Sequence, residues 1–275
     1  MSEFDKLKVV SEYELLKHLR RKRFYGALAI TVFAIFLMIS LYQGLDLPTR
    51  LNIESLLLGR YSAEIFAIFV TSLSALATIA AVFFAGDAIA SEFERRTGHI
   101  LFPNPVKRTT IVTGKYISCV IAISSIIVIG YGISSIALLY FYGQIPIGIL
   151  GSLAIALMLG CSVISLAFFF SSLLEGSMGA TVATLLTYLV IFPIVSVSLT
   201  YAGYEPWYLP DRAGDAMTAT YDVPLEGLTG GFMQGPMSGM MQASTDPVRS
   251  FIVLAIYAAV LFSISLLITD RREVS

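Results

Sequence analysis

Charge is scarce in this chain: 13% of its 275 residues are Asp, Glu, Lys or Arg, against about a quarter in soluble globular domains. With 56% hydrophobic residues and a mean hydropathy of +0.80, that scarcity excludes both an ordinary soluble domain and intrinsic disorder. A basic excess is also missing, since 18 Lys and Arg face 19 Asp and Glu for a net charge of −1, so there is no electrostatic footprint for nucleic acid. Only two cysteines occur, Cys119 and Cys161. Both lie in apolar runs and read as small core residues, which leaves neither a disulfide framework nor a metal cluster. The two histidines, His18 and His99, stand apart, and without H-E-x-x-H there is no metalloprotease; surface or elbow packing is their expected role. Gly86-Asp87 is similar to part of an intramembrane aspartyl protease motif, but that chemistry needs a second carboxylate in the bilayer, and no apolar run holds one. The same lack of a charge at depth argues against an ion-driven carrier. No ring of charge or filter-like loop suggests a channel.

What the chain has instead is long apolar runs. A hydrocarbon core about 30 Å thick needs about 20 helical residues. Six stretches qualify, placing spans at 24–45, 62–90, 116–140, 147–174, 180–201 and 248–268, with 65–85 the apolar part of the second. No ten-residue alternation suggests a barrel, so the expected fold is an all-α membrane bundle of six transmembrane helices. Basic residues set its orientation, because cytoplasmic loops retain Lys and Arg. Fourteen of the 18 fall in 1–23, 91–115 and the C-terminal tail, while Arg50, Arg60, Arg212 and Arg249 fall on the other side. Both termini are therefore expected in the cytoplasm. Segment 1–23 is too long and polar for the start of a cleavable signal peptide. It sets Leu7, Val10, Tyr13, Leu16 and Leu19 at helical spacing beside Lys6, Lys17 and the basic run 20–23. That pattern predicts an amphipathic helix along the inner interface, on anionic lipid. A plain topology anchor is the alternative.

Two connections are substantial. The inner one, 91–115, is dense in charge and turn residues. Span two has no proline or mid-run glycine before Gly86, so a helix over 62–96 should project about 50 Å from end to end and carry Glu92, Glu94, Arg95 and Arg96 past the lipid. Glu92 and Arg96 are spaced for an i,i+4 pair. Thr97-Gly98 breaks the helix, Pro103 and Pro105 impose extended geometry before them, and 105–115 leads back to span three. This makes a stiff charged elbow, unless the run is simply solvated loop. The outer connection, 202–247, holds seven glycines, five prolines and five of the nine methionines. Met233, Met237, Met240 and Met241 cluster there. Thioethers suit Cu(I), but no His or Cys accompanies them, and a flexible apolar lid is the simpler reading.

Within the spans, Thr71, Ser74 and Thr78 share one face of span two, and Thr181, Thr184 and Thr187 share one of span five. Such stripes either line a route or bond the carbonyl one turn back. Ser152, Ala156 and Gly160 form a small-residue ridge that reads as helix packing.

The stretch 87–115 resembles the signature region of type-2 exporter permeases, the membrane subunits of ATP-binding-cassette (ABC) transporters. The matching residues are Glu92, Glu94, Arg95, Thr97, Gly98, Ile100, Leu101, Pro105, Val106, Arg108, Gly114 and Lys115. Arg96-Thr97-Gly98-His99 replaces the commoner Gly-Thr order, and Phe102-Pro103-Asn104 interrupts the leucine-rich turn. Six spans, inside termini and an N-terminal interfacial helix agree with the family layout. The resemblance implies a prokaryotic plasma-membrane protein that works as a homo- or heterodimer pairing through spans one and five, with the substrate route between the chains. It implies two separate ATPase subunits docked on a coupling helix in 91–115, with Glu92, Glu94, Arg95, Arg96, Thr97, Gly98, Pro105, Arg108 and Lys115 as the coupling residues. No G-x-x-x-x-G-K-[ST] is present, since Gly114-Lys115 precedes Tyr116; ATP and magnesium are thus expected on the partner, with no cofactor on this chain. The rival reading is a non-transport membrane partner of an ATPase, in signalling or copper-enzyme maturation.

Overall fold

The computed structural model describes residues 3–44, 55–72, 76–86, 88–91, 107–223 and 246–271. Every regular element among them is helical. They are α1 (Glu3–Arg20), α2 (Lys22–Gly44), α3 (Ser55–Ser72), α4 (Leu76–Ala85), α5 (Arg108–Tyr142), α6 (Gly148–Leu173), α7 (Ser177–Leu186), α8 (Phe192–Tyr201), α9 (Pro210–Ala219) and α10 (Pro247–Arg271). Six stretches are long and apolar enough to cross a membrane: Lys22–Gly44, Tyr61–Ala85, Arg108–Tyr142, Gly148–Leu173, Ser177–Tyr201 and Pro247–Arg271. The six apolar runs of the sequence therefore each become a helical span, as length and composition demand.

The core lies where α3, α5 and α6 meet, around Phe66, Ile123, Ile126, Ile127, Leu159, Ile164 and Phe168, all fully buried. The small ridge on α6 makes this approach close. Ser152 and Ala156 are buried, and a methyl group on Gly160 would touch Ile127 and Ile123. Small residues let the helices approach until dispersion contacts form, which is the main attraction available between helices in lipid. Outward faces of α2, α8 and α10 stay apolar, with Phe33, Phe36, Ile194 and Ile256 exposed.

Helix ends follow local chemistry. Span three stops at Tyr142 because Gly143 takes a left-handed conformation (φ 69°) and its N–H donates to the Leu139 carbonyl, a standard glycine stop. Span five is not a uniform helix. Thr187–Ile191 widens into a π turn between α7 and α8, just before Pro193, whose missing N–H cannot continue the α pattern.

The overhang differs from the sequence expectation. A helix running straight from 62 to 96 is not formed: α4 ends at Ala85, and Gly86, Ala88 and Ile89 lie in turns. The turn begins at a close approach, since a Cβ on Gly86 would lie 2.5 Å from Thr181 Oγ1. It is span three that is extended, its 35 residues reaching about 52 Å at about 1.5 Å each. Residues 92–106 lie outside the described residues, as do Met233, Met237, Met240 and Met241 and all of 224–245.

The N-terminal helix also sits differently. α1 packs along the first turns of α5, with Thr110 donating to Glu3 at 3.4 Å and Val10 pressed on Gly114, where a Cβ would come within 2.7 Å of the valine. Its inward stripe contains Glu14 and His18, while Tyr13 is 70% exposed and Leu16 is exposed too. The face expected from apolar spacing is thus rotated, because Glu14 and His18 find polar partners in α5.

The 202–247 connection is likewise not all surface loop. α9 enters the bundle between α6, α8 and α10, burying Ala213, Gly214 and Ala216. A Cβ on Gly214 would meet Leu159 at 3.2 Å, about 16 Å along α6 from Gly148 at about 1.5 Å per residue.

Candidate functional site

Gly86 and residues 88–91 lead out of α4 toward the 91–115 segment, and 88–90 are held by α6 and α5. The Ser171 hydroxyl of α6 accepts from both Ile89 N–H (3.1 Å) and Ala90 N–H (2.9 Å). These are backbone donors freed by the end of α4, so the serine does for this turn what a cap does for a helix. Lys115 on α5 donates to the Ala88 carbonyl at 3.0 Å. Its ammonium also lies 3.7 Å from Glu14 of α1. Lys115 is buried, and Glu14 largely so. Burial alone would raise the Glu14 carboxyl, but Lys115 and Lys17 outweigh it, and the group titrates below the ordinary glutamate range. A buried ammonium shared by a carboxylate and a carbonyl is fixed in place, because loss of either partner leaves charge or dipole unpaired in a poor solvent.

One turn further along α5, Cys119 Sγ lies 3.4 Å from His18 Nε2 and 3.8 Å from the Phe84 carbonyl. The His18 ring meets Phe84 edge-on at 5.7 Å. α1, α4 and α5 are therefore joined twice, once through Glu14–Lys115–Ala88 and once through His18–Cys119–Phe84. His18 is buried, not on the surface.

Of the nine coupling residues read from the sequence, Arg108 and Lys115 lie among the described residues. Glu92, Glu94, Arg95, Arg96, Thr97, Gly98 and Pro105 lie outside them. Arg108 opens α5 and is half-buried, whereas Lys115 faces the bundle interior. Missed by sequence reasoning were Glu14, Ser171 and the Ala88 carbonyl. A carboxylate in a basic amphipathic segment and a serine near a span end carry no distinguishing signal.

Among the candidate route residues, Thr71 donates to Ala67 O at 2.7 Å and sits 3.1 Å from Tyr221 Oη. Thr78 is buried, and its neighbour is Tyr188. Thr181, Thr184 and Thr187 each donate to the carbonyl one turn back, at 2.8 to 2.9 Å. Thr184 is wholly buried and the other two half-buried. Ser74 lies outside the described residues. The polar contacts that link helices lie elsewhere. Tyr131 of α5 meets Ser152 of α6 at 2.8 Å, and Tyr221, just after α9, meets Thr71. Beside them Arg212 of α9, 4% exposed, donates to Ser196 at 2.8 Å and Thr200 at 3.3 Å in span five, with Asp215 at 3.7 Å. A buried guanidinium with these hydroxyl partners pins α9 to span five.

Six apolar helical stretches around such a core define a multi-pass helical membrane protein. The chain matches the ABC-2 family transporter proteins over residues 9–274, a region containing all six spans, and it belongs to that family. No curated protein matches it. Family membership makes it a membrane permease of an ABC transporter, a transmembrane component that is generally non-catalytic, and implies an ABC ATPase as its partner.

Proposed function

We propose that this chain is the membrane half of an ATP-driven exporter. Two copies, or one copy and a related chain, enclose the substrate route, and two ATPase subunits bind at the cytoplasmic face of a prokaryotic plasma membrane. Both termini lie on that face, with the basic residues. The ATPases dock on 91–115, with ATP and magnesium held on them and not on this chain. The observation that carries this reading is the junction beneath the segment. Its entry, 86–91, is tied to α6 by Ser171, and its exit, Lys115, is tied to α1 by Glu14. A docking element moves a bundle only if its ends are fixed to the helices that must move, and two packings with different partner affinity then shift in population. The π turn in span five, next to Thr187, supplies a place for such a helix to bend. Pairing through spans one and five agrees with their exposed apolar faces, among them a shallow hollow on α2 at Phe33, Phe36 and Leu37. Thr71, Ser74, Thr78, Thr181, Thr184 and Thr187 are assigned to the sides of the route.

Copurification in mild detergent tests the partner assignment: an ATPase should elute with the chain at two per permease pair. A chain eluting alone, with no ATPase encoded beside it, would sink the reading. ATP hydrolysis with no movement of any substrate in sealed vesicles would instead favour the signalling or maturation role.

A further inference from the structure

At the face opposite α1, the segment after α8 folds into a compact turn. Gly203 is left-handed (φ 82°), and Tyr204 N–H donates to the Leu199 carbonyl at 3.0 Å. This turn, with the first turn of α10, shapes a cleft of about 590 Å³ lined by Leu199, Tyr204, Glu205, Trp207, Tyr208 and Arg249. The volume falls within the range of small-molecule sites. The Arg249 guanidinium lies 3.6 Å from the centre of the Trp207 ring. That stacking covers one guanidinium face and leaves the N–H edge to meet an anion. Arg249 makes no ion pair among the described residues. Glu205 offers a carboxylate on the same rim, and the tyrosine faces flank it.

The two charges are opposite and share one cleft, so the ligand should carry both an anion and a cation a few ångströms apart. Two apolar lanes descend from the same rim. On span five Leu199 is followed at helical spacing by Val195 and Ile191, and on span six Arg249 is followed by Ile252 and Ile256. Val195, Ile191, Ile252 and Ile256 are all exposed. Phe192 and Tyr257 meet at 6.5 Å, joining the two helices between the lanes. Trp and Tyr at the end of apolar helices belong to the level of lipid headgroups.

We propose that this cleft binds a single phospholipid whose headgroup joins a phosphate to an ammonium. The phosphate takes the Arg249 edge as a charge-assisted pair, the ammonium takes Glu205 and the aromatic faces, and the acyl chains lie along the two lanes. The assignment does not depend on the exporter reading, because it rests on the cleft alone.

Trp207 is the chain's one tryptophan, so its emission reports the cleft directly. The full-length chain, delipidated in detergent, is titrated with dihexanoyl phosphatidylethanolamine below its micelle concentration. Dihexanoyl phosphatidylglycerol, inorganic phosphate and ethanolamine serve as comparisons. The expected result is a saturable change in emission, half-complete at a concentration at least tenfold lower for the ethanolamine lipid than for the glycerol lipid, and absent with phosphate or ethanolamine alone. Arg249→Ala should weaken both lipids at least tenfold. Glu205→Gln, an exposed change that leaves the fold untouched, should erase the preference between them and keeps the test valid should Arg249→Ala fail to fold. A linear, unsaturable response, equal affinity for the two lipids in the unmodified chain, or a response to phosphate alone would each overturn the proposal.

Discussion

Lys115 ties α5 to the Ala88 carbonyl and to the Glu14 carboxylate of α1 with one ammonium, and its removal should cost more than a surface ion pair would. Lys115→Met leaves the largely buried Glu14 with only the half-exposed Lys17, at 3.0 Å, to balance its charge, a smaller loss than the about 3–5 kcal/mol of a wholly orphaned buried ion. Adding Glu14→Gln removes the carboxylate charge that has lost its buried partner. The double variant should thus be more stable than the sum of the single effects predicts, as read by thermal unfolding in detergent. Simple additivity would mean that the 3.7 Å contact carries no coupling. Acid should act on the same pair. Glu14 titrates below its ordinary range because Lys115 and Lys17 outweigh its burial, so the folded state binds fewer protons than the unfolded one there. The pair's contribution is complete above the ordinary glutamate range and is lost as the pH falls through the lowered value. Hydrogen-exchange protection over 3–20, corrected for the pH dependence of the intrinsic rate, should fall on acidification in the unmodified chain and fall less in Glu14→Gln. At this scale the sequence was least legible. Glu14 and His18 look like the polar side of an amphipathic helix, and nothing local announces that a lysine 101 positions after Glu14 and a cysteine 101 after His18 will receive them.

At the scale of elements, two close approaches decide the packing. Gly114 admits Val10 of α1, and Gly214 admits Leu159 of α6. Gly214→Leu forces α9 outward, and overpacking of a well-filled site costs about 1–3 kcal/mol. Its reporter is the Arg212 contact with Ser196: α9 should become open to protease while the six spans remain protected. Equal protection in both chains would show that α9 does not depend on that approach. The spans themselves were legible because 20 apolar residues in lipid have one solution. α9 was not, because Asp211, Arg212, Gly214 and Asp215 have the composition of a loop. The hydroxyls of Ser196 and Thr200, on a different helix, help the arginine enter the bundle. The projecting end of span two was misread for a related reason. Its continuous apolar pattern supports a helix through Ala85, but the turn after it is held by Ser171 and Lys115 on other helices, far away in sequence.

At the scale of the whole molecule, the 91–115 segment and the junction below it should separate by mutation. Glu92→Ala with Arg95→Ala is expected to leave expression, unfolding temperature and ATPase association intact while transport in vesicles falls at least tenfold per ATP hydrolysed. Ser171→Ala strips the acceptor from two buried N–H groups, at about 1–3 kcal/mol. It should lower both stability and coupling. If the Glu92→Ala, Arg95→Ala double variant destabilises the chain as much as Ser171→Ala does, the segment is a structural brace and the docking assignment is wrong.

The position of α9 also has a consequence for how the chain is made. α9 leaves the synthesising machinery before α10, yet it packs against α10 as well as α6 and α8. Arg212 can already reach Ser196 and Thr200 of span five, but the seat of α9 stays incomplete until the last span arrives, some 50 residues later. Ribosome-bound chains stopped short of Pro247 should carry five inserted spans with α9 still cleavable from outside, and cleavage should cease once α10 is released into the bilayer. The final helix then acts as the latch of biogenesis, turning five independently inserted segments into one closed domain.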